Sequence, residues 1–404
     1  MLKEFANPAA VAMPASGSMT DHILDNAAQA PNTVVLSVKR GGEWVGVTST
    51  QFLDEVKAVA KGIIANGVAP GERIAVMSRN RYEWTVVDYA IWYAGAASVP
   101  VYETSSAEQV QWILSDSGSV AVFLESHRHK AVYDEVAVDI PSCTRVWVFD
   151  DGIIDELKRE GASVSDDELE ARRRSLTPDS LATLIYTSGT TGRPKGCMLT
   201  QGNLMFEVDN VVVALNEVFR APGSSTLLFL PIAHVFGRLI QLGCLRARAR
   251  LGHAADIKDL LPLLGEFQPT FLLAVPRVFE KIYNSASQKA NADGKGNIFE
   301  TAANTAIEYS KAKRAGRVGL GLKIKHALFD RLVYGKLRAA MGGQVRWAVS
   351  GGAPLGARLG HFFDGINVTV LEGTASPRRA RRRPSTAPMP CGSGLWASPS
   401  PGPG

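Results

Sequence analysis

The sequence predicts an α/β fold with a largely parallel sheet, and three observations carry that expectation. Short apolar runs alternate with amphipathic helical stretches along most of the chain. The 404 residues are 46% hydrophobic and 21% charged, an ordinary globular composition that excludes a collagen-like fibre, a coiled coil and a wholly disordered chain. The length allows about two or three domains, so a large core is possible.

Taken in order, residues 48–68 read as an amphipathic helix. Thr48 or Ser49 is positioned to cap it, and Phe52, Val56, Val59, Ile63 and Ile64 keep a helical period. Gly67 ends it and Pro70-Gly71 turns the chain. Residues 73–77 read as a buried strand, 81–95 as a helix, 97–101 as a strand, 106–116 as a helix and 120–124 as a strand. The stretch 151–180 is charged and reads as a loop, a lobe boundary. Strands resume at 181–186, 226–230, 270–275, 345–350 and 368–371, and a Lys- and Ala-rich helical insert fills 284–340. The expected division is a first lobe over 1–180, a second over 181–373, and a disordered tail over 374–404.

Charge singles out that tail. The net charge of +5 is carried by five arginines (Arg378, Arg379, Arg381, Arg382, Arg383), since 374–404 holds no Lys, Asp or Glu and residues 1–373 balance at 39 basic against 39 acidic. Seven of the 21 prolines fall there too. Cys143, Cys197, Cys244 and Cys391 are far apart with no C-x-x-C pair. They suggest a reducing compartment rather than a disulfide framework or a zinc site. No apolar run reaches the length of a membrane span, and the N-terminus does not read as a secretory signal.

The most informative segment is Tyr186-Thr187-Ser188-Gly189-Thr190-Thr191-Gly192-Arg193-Pro194-Lys195-Gly196. Glycines let the backbone expose its N–H groups, hydroxyls add donors, and lysine adds a point charge, which together suit a phosphate. The spacing of a Walker A loop is absent. A surface turn is the plain alternative. Three further segments stand out: Leu230-Pro231-Ile232-Ala233-His234-Val235-Phe236-Gly237-Arg238, Ala274 to Lys281, and Ser350-Gly351-Gly352-Ala353-Pro354. By themselves they also fit a core histidine, a helix start with Pro near N1 and a strand-to-helix turn. His127-x-His129 reads as a solvated pair in a loop.

Tyr186 to Gly196 closely resembles the phosphate loop of the adenylate-forming superfamily. Thr200, Gly202 and Asn203 extend the likeness, with Gln201 where a His is common. L-P-x-A-H-x-x-x-R at 230–238, V-P-R-V-F-E-K at 275–281, Arg81-Tyr82-Glu83-Trp84 and Val99 to Ser106 resemble the long-chain fatty-acid–CoA ligase branch. The likeness spans about residues 20–373. It implies the large N-terminal domain of that superfamily, two αβ lobes with partly parallel sheets. It implies the reaction fatty acid + ATP + CoA → acyl-CoA + AMP + pyrophosphate through an acyl-adenylate, with Mg²⁺ accompanying ATP. Thr187, Ser188, Gly189, Thr190, Thr191, Gly192 and Lys195 would contact phosphates, His234 the acyl site, and Gly351, Gly352 and Ala353 the adenine. Thr187, Lys195 and His234 are the catalytic candidates, and no metal ligand is assigned. The expected partners are a long-chain fatty acid, ATP and CoA, without nucleic acid. The expected location is the cytoplasm, with peripheral contact at the inner membrane face left open.

The likeness stops after Val370-Leu371-Glu372-Gly373, where the family continues Tyr-Gly-Leu-Thr-Glu. Thr374-Ala375-Ser376-Pro377-Arg378 can be encoded ACG GCC TCA CCG AGA. One T placed in front gives TAC GGC CTC ACC GAG, which spells the missing motif. The same frame turns Cys391 to Gly402 into Arg-Ile-Gly-Thr-Val-Gly-Leu-Pro-Leu-Pro-Gly, similar to the family's next stretch. The expectation is a frameshifted tail, with the small C-terminal domain absent and activity impaired. Alternatives are another adenylate-forming acid–thiol ligase, a non-enzymatic remnant, or a tail that binds RNA or anionic lipid.

Overall fold

The computed structural model describes residues 9–187, 193–351 and 353–373. Among them the strands are β1 (Val34–Arg40), β2 (Glu43–Thr48), β3 (Arg73–Met77), β4 (Ala97–Val101), β5 (Ser119–Leu124), β6 (Arg145–Val148), β7 (Leu181–Thr187), β8 (Lys195–Thr200), β9 (Ser225–Leu228), β10 (Arg250–His253), β11 (Phe271–Ala274), β12 (Trp347–Gly351) and β13 (Thr369–Gly373). Two compact units result. Among the described residues, one holds those from Ala9 to Arg220 together with Leu228–Asp256, and the other holds Ala221–Leu227 and those from Ile257 to Gly373.

The first unit is built on a six-stranded sheet in the order β6-β5-β3-β4-β7-β8. All neighbours run parallel except β7 and β8, which form an antiparallel hairpin. β3 and β4 are buried at almost every position and mostly apolar, as befits strands of a parallel sheet covered on both faces. Helix Tyr82–Tyr93 is buried all round, with Trp84, Tyr89 and Trp92 fully enclosed. Helix Ser49–Ala65 begins at a capping box: Gln51 N–H donates to Thr48 Oγ1 at 3.3 Å and Thr48 N–H to Gln51 Oε1 at 2.9 Å. It buries Phe52, Val56, Val59 and Ile63, each contributing roughly 1.5–3 kcal/mol. A second sheet of this unit pairs β1 antiparallel to β2 and parallel to β10.

The second unit centres on the parallel sheet β11-β12-β13. At its edge Ser225 N–H donates to Thr270 Oγ1 at 2.9 Å, holding the start of β9 to the residue before β11. The expected insert is helical, as Pro276–Ala292, Gly296–Arg314, Leu320–Phe329 and Gly335–Ala340, with a π turn at Asp330–Tyr334.

Three expectations need correction. The first unit does not end at residue 180, because β7 continues its sheet through the pair Ser98↔Thr183. The stretch 151–180 is not a loop. It contains helices Ile153–Glu160 and Asp166–Arg174, which pack through only Ile153, Ile154, Leu157 and Leu169. His127 and His129 lie on helix His127–Asp134. His127 is exposed against Asp151 at 2.8 Å, but His129 is buried, its Nδ1 on Ser126 Oγ at 2.9 Å. The expected tail 374–404 lies outside the described residues.

Candidate functional site

Thr187 is the last residue of β7 and Lys195 the first of β8, and they face each other across the hairpin. Because β7 runs parallel to β4, the connection from β7 to β8 leaves from the carboxyl edge of the sheet, where α/β folds place their ligands. Ser188, Gly189, Thr190, Thr191 and Gly192 lie outside the described residues, so the structure places only the two ends of the expected phosphate loop. Both ends are fixed. Tyr186 Oη donates to Asp116 Oδ2 at 2.6 Å, and Trp112 Nε1 donates to the Pro194 carbonyl at 2.8 Å. The Arg193 guanidinium lies over the Trp112 ring at 4.8 Å. Burial, then the Asp116 carboxylate, push the Tyr186 phenol well above its ordinary value, so it stays a protonated donor. Lys195 is exposed and makes no ion pair among the described residues, which leaves its charge free for an anion.

Past the hairpin, helix Gln201–Ala214 starts at a second capping box. Asn203 N–H donates to Thr200 Oγ1 at 3.2 Å, and Thr200 N–H to Asn203 Oδ1 at 3.1 Å. Gly202 is required by proximity, since a Cβ there would come within 2.9 Å of the Pro178 carbonyl. Gln201 is buried and accepts from Met19 N–H at 3.0 Å.

His234 caps helix Val235–Ala247: its Nδ1 accepts from Phe236 N–H at 3.1 Å. That bond puts the proton of the neutral ring on Nε2. Desolvation holds the imidazole below its ordinary pKa, although the residue as a whole is exposed. The segment leading to it is tied down by buried Asn80. Its Nδ2 donates to the Leu230 carbonyl at 2.8 Å and its Oδ1 accepts from Ile232 N–H at 3.0 Å. A Cβ on Gly237 would sit 2.3 Å from the Pro231 carbonyl, so this helix start also needs glycine.

One turn beyond His234 lies a feature that no local pattern announced. Arg238 is 1% exposed and Asp88 0%, and they form a buried ion pair. Arg238 also donates to Thr183 Oγ1 at 2.9 Å and to Ser98 Oγ at 2.6 Å. Its guanidinium lies over Trp84 at 5.5 Å and Trp92 at 5.4 Å. Gln241 Nε2 donates to the second Asp88 oxygen at 3.3 Å, and Thr85 Oγ1 donates to Gln241 Oε1 at 2.9 Å. Burial holds the Asp88 carboxyl above its ordinary range. The network bolts the helix of His234 to β7, the strand that ends at Thr187. The contacts of Asn80 and Asp88 were missed because each lies about 150 positions from its partner, Ile232 and Arg238 respectively. The nearest sequence signal was a polar or charged residue amid apolar runs.

In the second unit Gly351 ends β12 and pairs in register with Gly373 of β13. Gly352 lies outside the described residues, and Ala353 is exposed in the bend that follows. Among the described residues no three His, Cys, Asp or Glu side chains converge as a metal site.

A family model described as AMP-binding enzyme matches residues 23–373. The chain belongs to the AMP-binding enzyme family. A long-chain-fatty-acid–CoA ligase of Mycobacterium tuberculosis, FadD15, is 44% identical over 375 residues, which is 92% of this chain and 62% of that protein. The chain thus spans less than two thirds of that relative's length. Among solved structures, the long-chain-fatty-acid–CoA ligase FadD1 of Archaeoglobus fulgidus superposes with a TM-score of 0.68 at 16% identity, covering 93% of this chain and 66% of that one. The N-terminal domain of FACL13 from Mycobacterium tuberculosis gives 0.67 at 19% identity, covering 90% and 77%. These two establish the AMP-binding fold and nothing finer.

Proposed function

We propose that this chain is the ATP- and acid-binding part of a long-chain fatty-acid–CoA ligase. The observation that carries the reading is the Thr187–Lys195 hairpin, with an unpaired lysine at the carboxyl edge of a parallel sheet. Its 44% identity to FadD15 supports the same substrate class. In the first half-reaction a fatty-acid carboxylate oxygen attacks the α-phosphorus of ATP. The bond to pyrophosphate breaks, leaving an acyl-adenylate. In the second, the CoA thiol loses its proton and attacks the acyl carbonyl, and AMP departs. Lys195, the Thr187 hydroxyl and residues Ser188–Gly192 would neutralise phosphate charge as the pentavalent phosphorus develops. His234 lines the acyl site with Nε2–H outward. Gly351, Gly352 and Ala353 border the adenine. A water-insoluble acyl substrate makes peripheral membrane contact part of the same reading.

The tail belongs to the proposal as well. Restoring one base after the Gly373 codon returns the family motif, and the 404-residue chain as translated would lack it. ATP–pyrophosphate exchange with palmitate tests the assignment. Exchange that depends on palmitate and disappears in Lys195→Ala supports it. Exchange absent both from this chain and from its frame-restored form leaves a non-enzymatic remnant.

A further inference from the structure

Leu320, Ile324, Leu328 and Leu332 follow one another at every fourth residue, and they are 75%, 64%, 56% and 51% exposed. That spacing places them in one row along helix Leu320–Phe329 and into the π turn that continues it. The opposite side of the helix is already engaged. His326 stacks on Tyr309 at 3.8 Å, its Nε2 lies 2.6 Å from the Gly365 carbonyl, and Phe329 is buried. Packing therefore fixes the helix by one side and leaves a continuous aliphatic row in water.

Charge surrounds this row. Residues 311–338 hold nine Lys or Arg and one acid, Asp330. Asp330 is already paired with Arg338 at 2.7 Å. Residues 1–373 as a whole are neutral, so the excess is local. Lys323 and Lys325 sit one position either side of Ile324, about 100° round the helix in each direction. Both are exposed and make no ion pair among the described residues. Long lysine stems can lie along apolar surface while their ammonium groups reach past it. An aliphatic row with cations on both flanks is the pattern of a helix that lies in a membrane interface. A protein groove would need a separate acidic rim on each side, whereas one anionic bilayer supplies both.

We propose that this face docks on an anionic lipid surface, with Ile324 and Leu328 in the acyl boundary and Lys323 and Lys325 at the headgroup phosphates. The proposal deepens the acyl-ligase reading, because a bilayer holds the acid, but the docking itself needs neither ATP nor CoA.

Vesicle flotation of the full chain tests it, using phosphatidylcholine with and without phosphatidylglycerol and no nucleotide, fatty acid or CoA. The chain is expected to float with the anionic vesicles and to be released by salt. Ile324→Ser with Leu328→Ser, and separately Lys323→Glu with Lys325→Glu, should each weaken partitioning about tenfold or more. Lys323→Arg with Lys325→Arg should retain it. All these positions are exposed, and an unchanged melting temperature confirms the fold; should the apolar pair misfold, the charge reversal decides alone. No flotation of the parent chain overturns the proposal. So does flotation unaffected by either pair, which would move the contact to the arginine cluster at 378–383. A dimer that dissociates in the apolar variant overturns it in favour of a second copy. Exchange with a short soluble acid reads the ligase assignment independently.

Discussion

Lys195 stands unpaired beside Thr187 at the mouth of the hairpin, so its removal should be felt by the ligand and not by the fold. Lys195→Ala is expected to weaken ATP binding by about 10- to 100-fold, the worth of one charge-assisted hydrogen bond. Calorimetric titration reads that loss, with the melting temperature unchanged. His253 makes the opposite kind of prediction. Burial lowers its pKa to about 4, while an unfolded chain protonates it near 6.5. The unfolded state therefore binds the extra proton first as pH falls. Stability should be full above about pH 6.5 and decline toward pH 4, and His253→Gln should flatten that part of the denaturation-versus-pH curve. The chemistry-bearing residues near the hairpin were legible in the sequence because glycine, hydroxyl and lysine fall within eleven positions. The partners of Asn80, Asp88 and Arg238 were not, although Arg238 itself closes the motif at 230–238. Each meets its partner only through the fold, and a buried pair leaves no periodicity or local spacing to read.

Elements with a clean period declared themselves. β3, β4 and β7 were each expected within a residue or so of their observed limits, because parallel strands buried on both faces are mostly apolar along their whole length. Helix Ile153–Glu160 escaped notice because it is only two turns long, and Asp166–Arg174 because its apolar content is small. Asp166–Arg174 buries only Leu169, and its other turns are held by ion pairs such as Arg173 with Glu170 at 2.8 Å. A helix stabilised by charge at three- and four-residue spacing looks like a polar loop to any reading that follows hydrophobicity. The capping box at Thr200 is an element-scale feature with a measurable weight. Thr200→Ala removes the acceptor for Asn203 N–H and should lower stability by about 1 kcal/mol. Chemical denaturation measures it, and Thr200→Ser should restore most of the loss.

Across the whole molecule, the fold class and the family were legible, while the place where the chain divides was not. A charged stretch near residue 180 suggested a boundary, yet the hairpin β7–β8 completes the first sheet and carries the chain on to Arg220. Frame restoration after Gly373 is the prediction at this scale. The restored chain should exchange pyrophosphate with palmitate far faster than the 404-residue form, and sequencing the coding DNA across the Gly373 codon should find the additional base. The ion pair of Asp88 and Arg238 has its own consequence for the chain as a unit. Asp88→Asn strands a buried cation and should remove roughly 3–5 kcal/mol of stability, whereas Asp88→Leu with Arg238→Met should be far milder; thermal melts of the two variants compare them. Neither residue can drift alone across an evolutionary lineage without passing through a badly weakened intermediate. Homologues that have lost the arginine at this position should therefore have lost the aspartate with it, as a coupled exchange visible in an alignment of the family.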